Sequence, residues 1–239
     1  MTRKPPTTLP LSLIVFAYNE AENVQPVLHE LISYLKEHHP GTQIVFVDDG
    51  STDATFDQAE RALAGQNAVL LRHPVNRGIG AALKTGVRRC NKDWVTFMPA
   101  DGQIPPSALT TLLRAAETRE LDVVFSNYEN RDDGWHRKVL SFGVRALILG
   151  IHGVALRSEG PYLFRRNLFD PEALPPDTFF LNFEFPIRML VAKRRTNSVI
   201  IPCRQRRAGV SKSTGVKRIV GVAQDLLLFR VRRIRESLS

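Results

Sequence analysis

Two carboxylates, Asp48 and Asp49, stand side by side after the apolar run Ile44-Val45-Phe46-Val47 and before Gly50-Ser51-Thr52-Asp53. An uninterrupted apolar run of this kind reads as a strand buried on both faces, as in a parallel sheet, and Gly50-Ser51 turns the chain at its end. In an open α/β sheet, ligands bind in the crevice beyond the carboxyl ends of the strands, so both acids are aimed at a crevice. The same residues also suit a plain strand-turn-helix, with Thr52 or Asp53 capping a helix from about Ala54 and the acids solvating the turn. Polar groups recur at other strand ends: Ala17-Tyr18-Asn19-Glu20 follows one apolar run, and Ala100-Asp101-Gly102-Gln103 follows another. The loop His73-Pro74-Val75-Asn76-Arg77-Gly78-Ile79-Gly80 opens a helix that carries Lys84. A helix start of this kind can hold phosphate through free N–H groups and the local dipole, although its glycines equally suit helix–strand packing. A basic loop, Arg204 to Lys212, adds a concentration of cations near the C-terminus.

The elements that must position these groups follow from periodicity. Residues 11–16 form a first buried strand. Val24, Val27, Leu28, Leu31, Ile32 and Leu35 recur at helical spacing, which predicts a helix over 21–37 ended by Pro40-Gly41. The central strand over 44–47 leads to a helix over 55–64 and a short strand over 69–71. A helix over 81–89, a strand over 94–98, a helix over 107–117 and a strand over 121–126 follow. This β-α alternation demands a mainly parallel sheet covered by helices. Beyond Asn130 the character changes. Residues 138–151 read as an apolar helix broken by Arg145, residues 154–168 as irregular, and residues 179–193 as one element whose aromatics, Phe179, Phe180, Phe183 and Phe185, are core. A last short strand spans 198–201. The final helix, 216–238, sets Ile219, Val222, Ala223, Leu226, Leu227 and Phe229 on one side and a set of Lys and Arg on the rest.

With 239 residues, 43% of them hydrophobic, the chain can bury one α/β core, alone or with an appendage. A formal charge of +9 calls for an anionic partner, for which nucleic acid, an anionic membrane and a phosphorylated substrate are the classes available. No nucleic-acid motif and no interleaving of basic and aromatic residues is present, which sets nucleic acid aside. Cys90 and Cys203 fit neither a disulfide framework nor a zinc site, so a reducing compartment is expected. Arg3 and Lys4 precede an apolar run over 9–17 that lacks a small-residue cleavage site, so it reads as the first strand and not as a signal peptide. No apolar run reaches the roughly 18 residues that a spanning helix needs.

Five blocks in order resemble a family 2 glycosyltransferase with the GT-A fold, over about residues 11–212. They are Phe16-Ala17-Tyr18-Asn19-Glu20, Val47-Asp48-Asp49-Gly50-Ser51-Thr52-Asp53, Asn76-Arg77-Gly78-Ile79-Gly80-Ala81-Ala82, Ala100-Asp101-Gly102-Gln103 and Arg206-x-x-Gly209-x-Ser211-Lys212. The nearest branch is the polyprenyl-phosphate sugar transferases, of which dolichol-phosphate mannose synthases are typical. The resemblance implies a Rossmann-like, mainly parallel sheet flanked by helices, with residues 1–212 as the transferase domain and 213–239 as a basic amphipathic helix. It implies that Ala17, Tyr18, Glu20, Val47, Asp48 and Asp49 hold the nucleotide-sugar donor. Asp101, with Gln103 and the Ala100 backbone, would hold Mg²⁺ or Mn²⁺ against the diphosphate, and Arg206, Lys212 and Arg137 would clamp phosphates. The implied acceptor is a polyprenyl phosphate. The implied setting is the cytoplasmic face of a membrane, with the protein peripheral or attached to a membrane-embedded partner. Three features depart from the family pattern: Pro99 stands where the Asp-x-Asp metal motif begins, Leu156-Arg157-Ser158-Glu159-Gly160-Pro161-Tyr162 stands where an Asp followed by Gly-Phe-Arg is usual, and Asn127 stands where an arginine is usual. Two alternatives stay open beside this reading, a soluble transferase acting on a saccharide or protein, and a non-catalytic nucleotide-sugar-binding subunit. A soluble transferase needs a general base, for which Glu159 and Glu184 are the candidates.

Overall fold

The computed structural model describes residues 9–129, 134–174, 177–205 and 216–238, with the backbone alone for 134–141, 216–223 and 236–238. Strands and helices alternate as expected through the first half: β1 (Leu11–Ala17), α1 (Ala21–His38), β2 (Gln43–Asp48), α2 (Thr55–Leu63), β3 (Ala68–Arg72), α3 (Ile79–Val87), β4 (Trp94–Pro99), α4 (Ser107–Thr118) and β5 (Val123–Tyr128). Then come α5 (Gly134–His152), β6 (Leu163–Arg165), α6 (Leu181–Val191), β7 (Thr196–Ile201) and α7 (Val216–Leu238).

The strands form one sheet in the order β3-β2-β1-β4-β6-β5-β7. Every neighbouring pair is parallel except those made by β6, which runs antiparallel between β4 and β5. That strand lies within the stretch expected to be irregular; three residues are too few to carry a readable period. Both faces of the sheet are covered, which is why its strands read as continuous apolar runs. Leu13, Val15, Ile44 and Phe46 pack with α1, α2 and α4 on one face. Ile14, Val45, Val47 and Phe97 pack with α3 and α6 on the other.

A third cluster joins Ile148 of α5, Phe180, Ile187 of α6, and Leu226 and Phe229 of α7. Phe180 and Phe185 are core, as expected, whereas Phe179 is partly exposed. Leu227 does not share the inward side with Leu226 and Phe229. It lies with Leu228, Val231 and Ile234 on an exposed apolar face, since neighbours on a helix are turned roughly 100° apart.

Candidate active site

The strand order places the site. The chain steps outward from β1 to β2 and β3, then returns to the other side of β1 with β4, so the order reverses between β1 and β4. A crevice forms at such a switch point, beyond the carboxyl ends of the strands. Register brings the key segments level there. Ala17 lies opposite Asp48, and Phe16 lies opposite Pro99. Beyond the last pairs, the Asp49 N–H donates to the Ala17 carbonyl at 2.9 Å and the Ala100 N–H to the Phe16 carbonyl at 3.0 Å. The Asp48-Asp49 and Ala100-Asp101 segments therefore flank the end of β1 from either side. With strands about 4.8 Å apart, they lie about 10 Å from each other.

Asp48 and Asp49 are both buried, and they do different work. Asp48 Oδ1 accepts from the Ser51 N–H at 3.1 Å, closing the turn, and Oδ2 lies 3.1 Å from Arg72 Nε without an aligned hydrogen bond. Arg72 also donates to the Ser51 carbonyl and lies over the Phe56 ring. Asp49 reaches the glycine loop. Its Oδ1 accepts from the Arg77 N–H at 2.9 Å and its Oδ2 from the Gly78 N–H at 2.8 Å. His73 Nδ1 lies 2.7 Å from Oδ1, and its Nε2 lies 2.9 Å from Thr85 Oγ1. With Asp49 ionised, Nδ1 carries the proton. Charge-assisted bonds from consecutive N–H groups lock the loop onto the end of β2. Gly78 has φ of +89° there, a conformation that side chains resist.

Tyr18, Asn19 and Glu20 leave β1 half-buried. Asn19 sits at φ of +50°, held by Ser51 Oγ on its N–H and by Thr52 N–H on its side-chain oxygen. The Glu20 N–H donates to Thr55 Oγ1 at 2.8 Å, and its carboxylate accepts from Asn23 at 2.7 Å. The tips of β1 and β2 are thus tied to each other. Asp53 bonds Thr55 and the Ala21 N–H, so it joins both helix starts in addition to the turn role expected of it. The side chains of Ala17 and Ala100 are buried in the core on one face of the sheet and that of Val47 in the core on the other.

Asp101 is 9% exposed, and its Oδ1 accepts from the Gln103 N–H at 3.0 Å. Among the described residues no group of three or more His, Cys, Asp or Glu could hold a metal. One carboxylate and one amide oxygen are hard donors. They fit Mg²⁺ or Mn²⁺ as a partial shell that substrate phosphates and water complete. Arg206 and Lys212 lie outside the described residues, and for Arg137 only the backbone, in α5, is described.

Four residues at the site had no role assigned from sequence: Arg72, His73, Lys84 and Asp177. Lys84, buried on α3, pairs with Asp177 at 3.0 Å. A lysine on the apolar side of a short helix was the available signal, because a buried ammonium requires a partner.

A family model described as glycosyl transferase family 2 matches residues 12–181. Undecaprenyl-phosphate 4-deoxy-4-formamido-L-arabinose transferase of Proteus mirabilis is 29% identical over 223 residues, covering 91% of this chain and 66% of its own length. Dodecaprenyl-phosphate galacturonate synthase of Rhizobium johnstonii is 29% identical over 233 residues, covering 95% of this chain and 68% of its own length. The chain thus spans just under two thirds of the first relative and slightly more of the second. Glucosyl-3-phosphoglycerate synthase from Mycobacterium tuberculosis, solved with Mn²⁺, UDP and glucosyl-3-phosphoglycerate, superposes with a TM-score of 0.70 at 18% identity, over 95% of this chain and 80% of that one. At that identity the likeness is one of fold.

Proposed function

The chain belongs to glycosyl transferase family 2, and from that premise we propose that it moves a sugar from a nucleotide-diphosphate sugar onto a polyprenyl phosphate at a membrane surface. Two relatives, each matched over nine tenths or more of this chain, are named for sugar transfer to such lipid phosphates. The observation that carries the acceptor class is the state of the two candidate bases. Glu184 is fully buried, with Arg188 at 3.0 Å and Arg232 at 2.9 Å, beneath α7. Glu159 is paired with Arg145. Glu184 is thus enclosed away from any acceptor, and the Glu159 carboxylate is engaged by a guanidinium. A phosphate acceptor is already an anion at neutral pH and needs no general base.

In this reading Tyr18, Glu20, Asp48 and Asp49, with the main chain at Ala17 and Val47, hold the base and ribose. Asp101 and Gln103 hold the divalent cation, which when bound neutralises charge on the departing diphosphate. Arg206, Lys212 and Arg137 bind phosphate oxygens. An acceptor phosphate oxygen attacks the anomeric carbon as its bond to the nucleotide diphosphate breaks, and the configuration inverts. Fixed donors and charges in a water-poor crevice favour that transition state. The deciding experiment offers radiolabelled GDP- and UDP-sugars with a polyprenyl phosphate in detergent, with and without Mg²⁺ or Mn²⁺. Label extracted into organic solvent supports the proposal. Transfer only to added saccharides refutes it.

No described helix is long and apolar enough to cross a membrane. Residues 1–212 then carry the chemistry, and residues 213–239 lie on the bilayer at its cytoplasmic face. Leu227, Leu228, Val231 and Ile234 expose one stripe of α7, and Phe142, Leu147 and Leu149 are exposed on α5, which packs beside it. The exposed Arg230 and Arg235 on α7 suit anionic headgroups, each contributing about 1 kcal/mol near the surface. Replacing Leu228 and Val231 together by glutamate removes about 3 kcal/mol of apolar burial. Partition onto anionic vesicles is expected to fall on the order of 100-fold by flotation, with activity in detergent retained.

A further inference from the structure

Just ahead of α6, Asp177 and Thr178 lie against the glycine loop. The Ala81 N–H donates to the Asp177 carbonyl at 3.0 Å. A Cβ on Gly80 would stand 2.6 Å from that carbonyl oxygen and closer still to the Thr178 oxygen, so only glycine lets the two segments meet. The Asp177 carboxylate takes two cations from the same loop and helix: Arg77 Nη2 at 2.7 Å and Lys84 Nζ at 3.0 Å. Lys84 is 7% exposed at its side chain, so its ammonium depends on this partner. Burial raises the Asp177 pKa, but Lys84 and Arg77 more than offset it and leave the carboxyl below its usual range. On its other side Thr178 Oγ1 reaches Asp225 of α7 at 3.4 Å.

We propose that Asp177 is a positioning residue for donor binding, acting through the loop that it and Asp49 hold from opposite ends. Arg77 is the shared member, giving its main-chain N–H to Asp49 and its guanidinium to Asp177. The loop cannot move without disturbing the Asp49 carboxylate, and Asp177 is what keeps the loop still. Thr178 extends the same joint to α7, the helix that follows the basic loop. The inference rests on the proposed assignment of Asp49 to the donor nucleotide.

Calorimetric titration of UDP and GDP with Mg²⁺ into the full chain tests it, with thermal melting alongside. Asp177→Asn keeps the shape and removes the charge, leaving Lys84 unpaired. Its dissociation constant for whichever nucleotide the wild type binds is expected to rise about 10-fold. Asp177→Glu restores the charge and is expected to recover most of that loss. Should Asp177→Asn not fold, the double variant Asp177→Asn/Lys84→Met, which removes the buried ammonium with its partner, is read in the same way. Unchanged nucleotide affinity in a folded charge-free variant overturns the inference and leaves the transferase reading standing. Equal weakening in the Asn and Glu variants also overturns it, since the charge is then irrelevant. A wild-type protein that binds neither nucleotide removes both.

Discussion

Sugar transfer by the Asp101→Asn variant is expected to fall by about 10³ in kcat/KM, equal to about 4 kcal/mol of transition-state stabilisation. Pro99 occupies the position where a second acid would share the load, so Asp101 is the one charged protein donor in the proposed cation shell. Removing a charge that acts on the departing diphosphate depresses kcat as well as binding. The fold should survive. The carboxylate lies at a loop, where its Oδ1 accepts the Gln103 N–H at 3.0 Å, and an asparagine oxygen can accept that bond. The melting temperature is therefore expected to move by no more than a few degrees while turnover collapses, and a short series with Mg²⁺ and Mn²⁺ reads the cation's share. Near-normal turnover in this variant removes Asp101 from the site.

The second large effect is expected at Gly50, the residue after Asp49. It adopts φ of +75°, and a Cβ there would stand 2.6 Å from Asn76 N and closer still to the Val75 carbonyl carbon. Both are main-chain atoms of the glycine loop and cannot swing aside. Gly50→Ala combines left-handed strain of about 1 kcal/mol with overpacking of about 2 kcal/mol, so a loss of about 3 kcal/mol is expected in urea denaturation. The loop can relieve the clash only by leaving Asp49, so the proposed nucleotide binding is expected to fall too. Gly65→Ala is the control: Gly65 has φ of +71° with open space around its Cβ, and that variant suffers strain alone. Equal losses in the two variants would show that the loop does not press on the turn.

Much of this architecture was legible in the chain. Residues 44–47 read as a doubly buried strand because both faces of the sheet are covered, and the acids after them fall at its carboxyl end because Gly50-Ser51 turns the chain there. The helices over 21–38 and 107–118 carry local periods long enough to be unambiguous. β6 was not legible, since its direction and place are set by partners on β4 and β5 and not by its own residues. α7 was half legible. Its amphipathicity was plain, but Leu226 and Leu227 separate only when α5 and α6 take one side of the helix.

The site divides along the same line. The identity of the strand tips, and hence Tyr18, Glu20, Asp48, Asp49 and Asp101 as a set, is a property of local sequence, because a strand's end and the turn after it are fixed by neighbours a few residues away. What those groups touch is not. Asp49 is bound by a loop 28 and 29 residues further on, Arg77 meets Asp177 across 100 residues, and Glu184 is enclosed by an arginine 48 residues later. A buried charge takes its partner from whatever the packed helices bring to it. Only the tertiary structure could therefore show which loop or helix each of these acids is tied to.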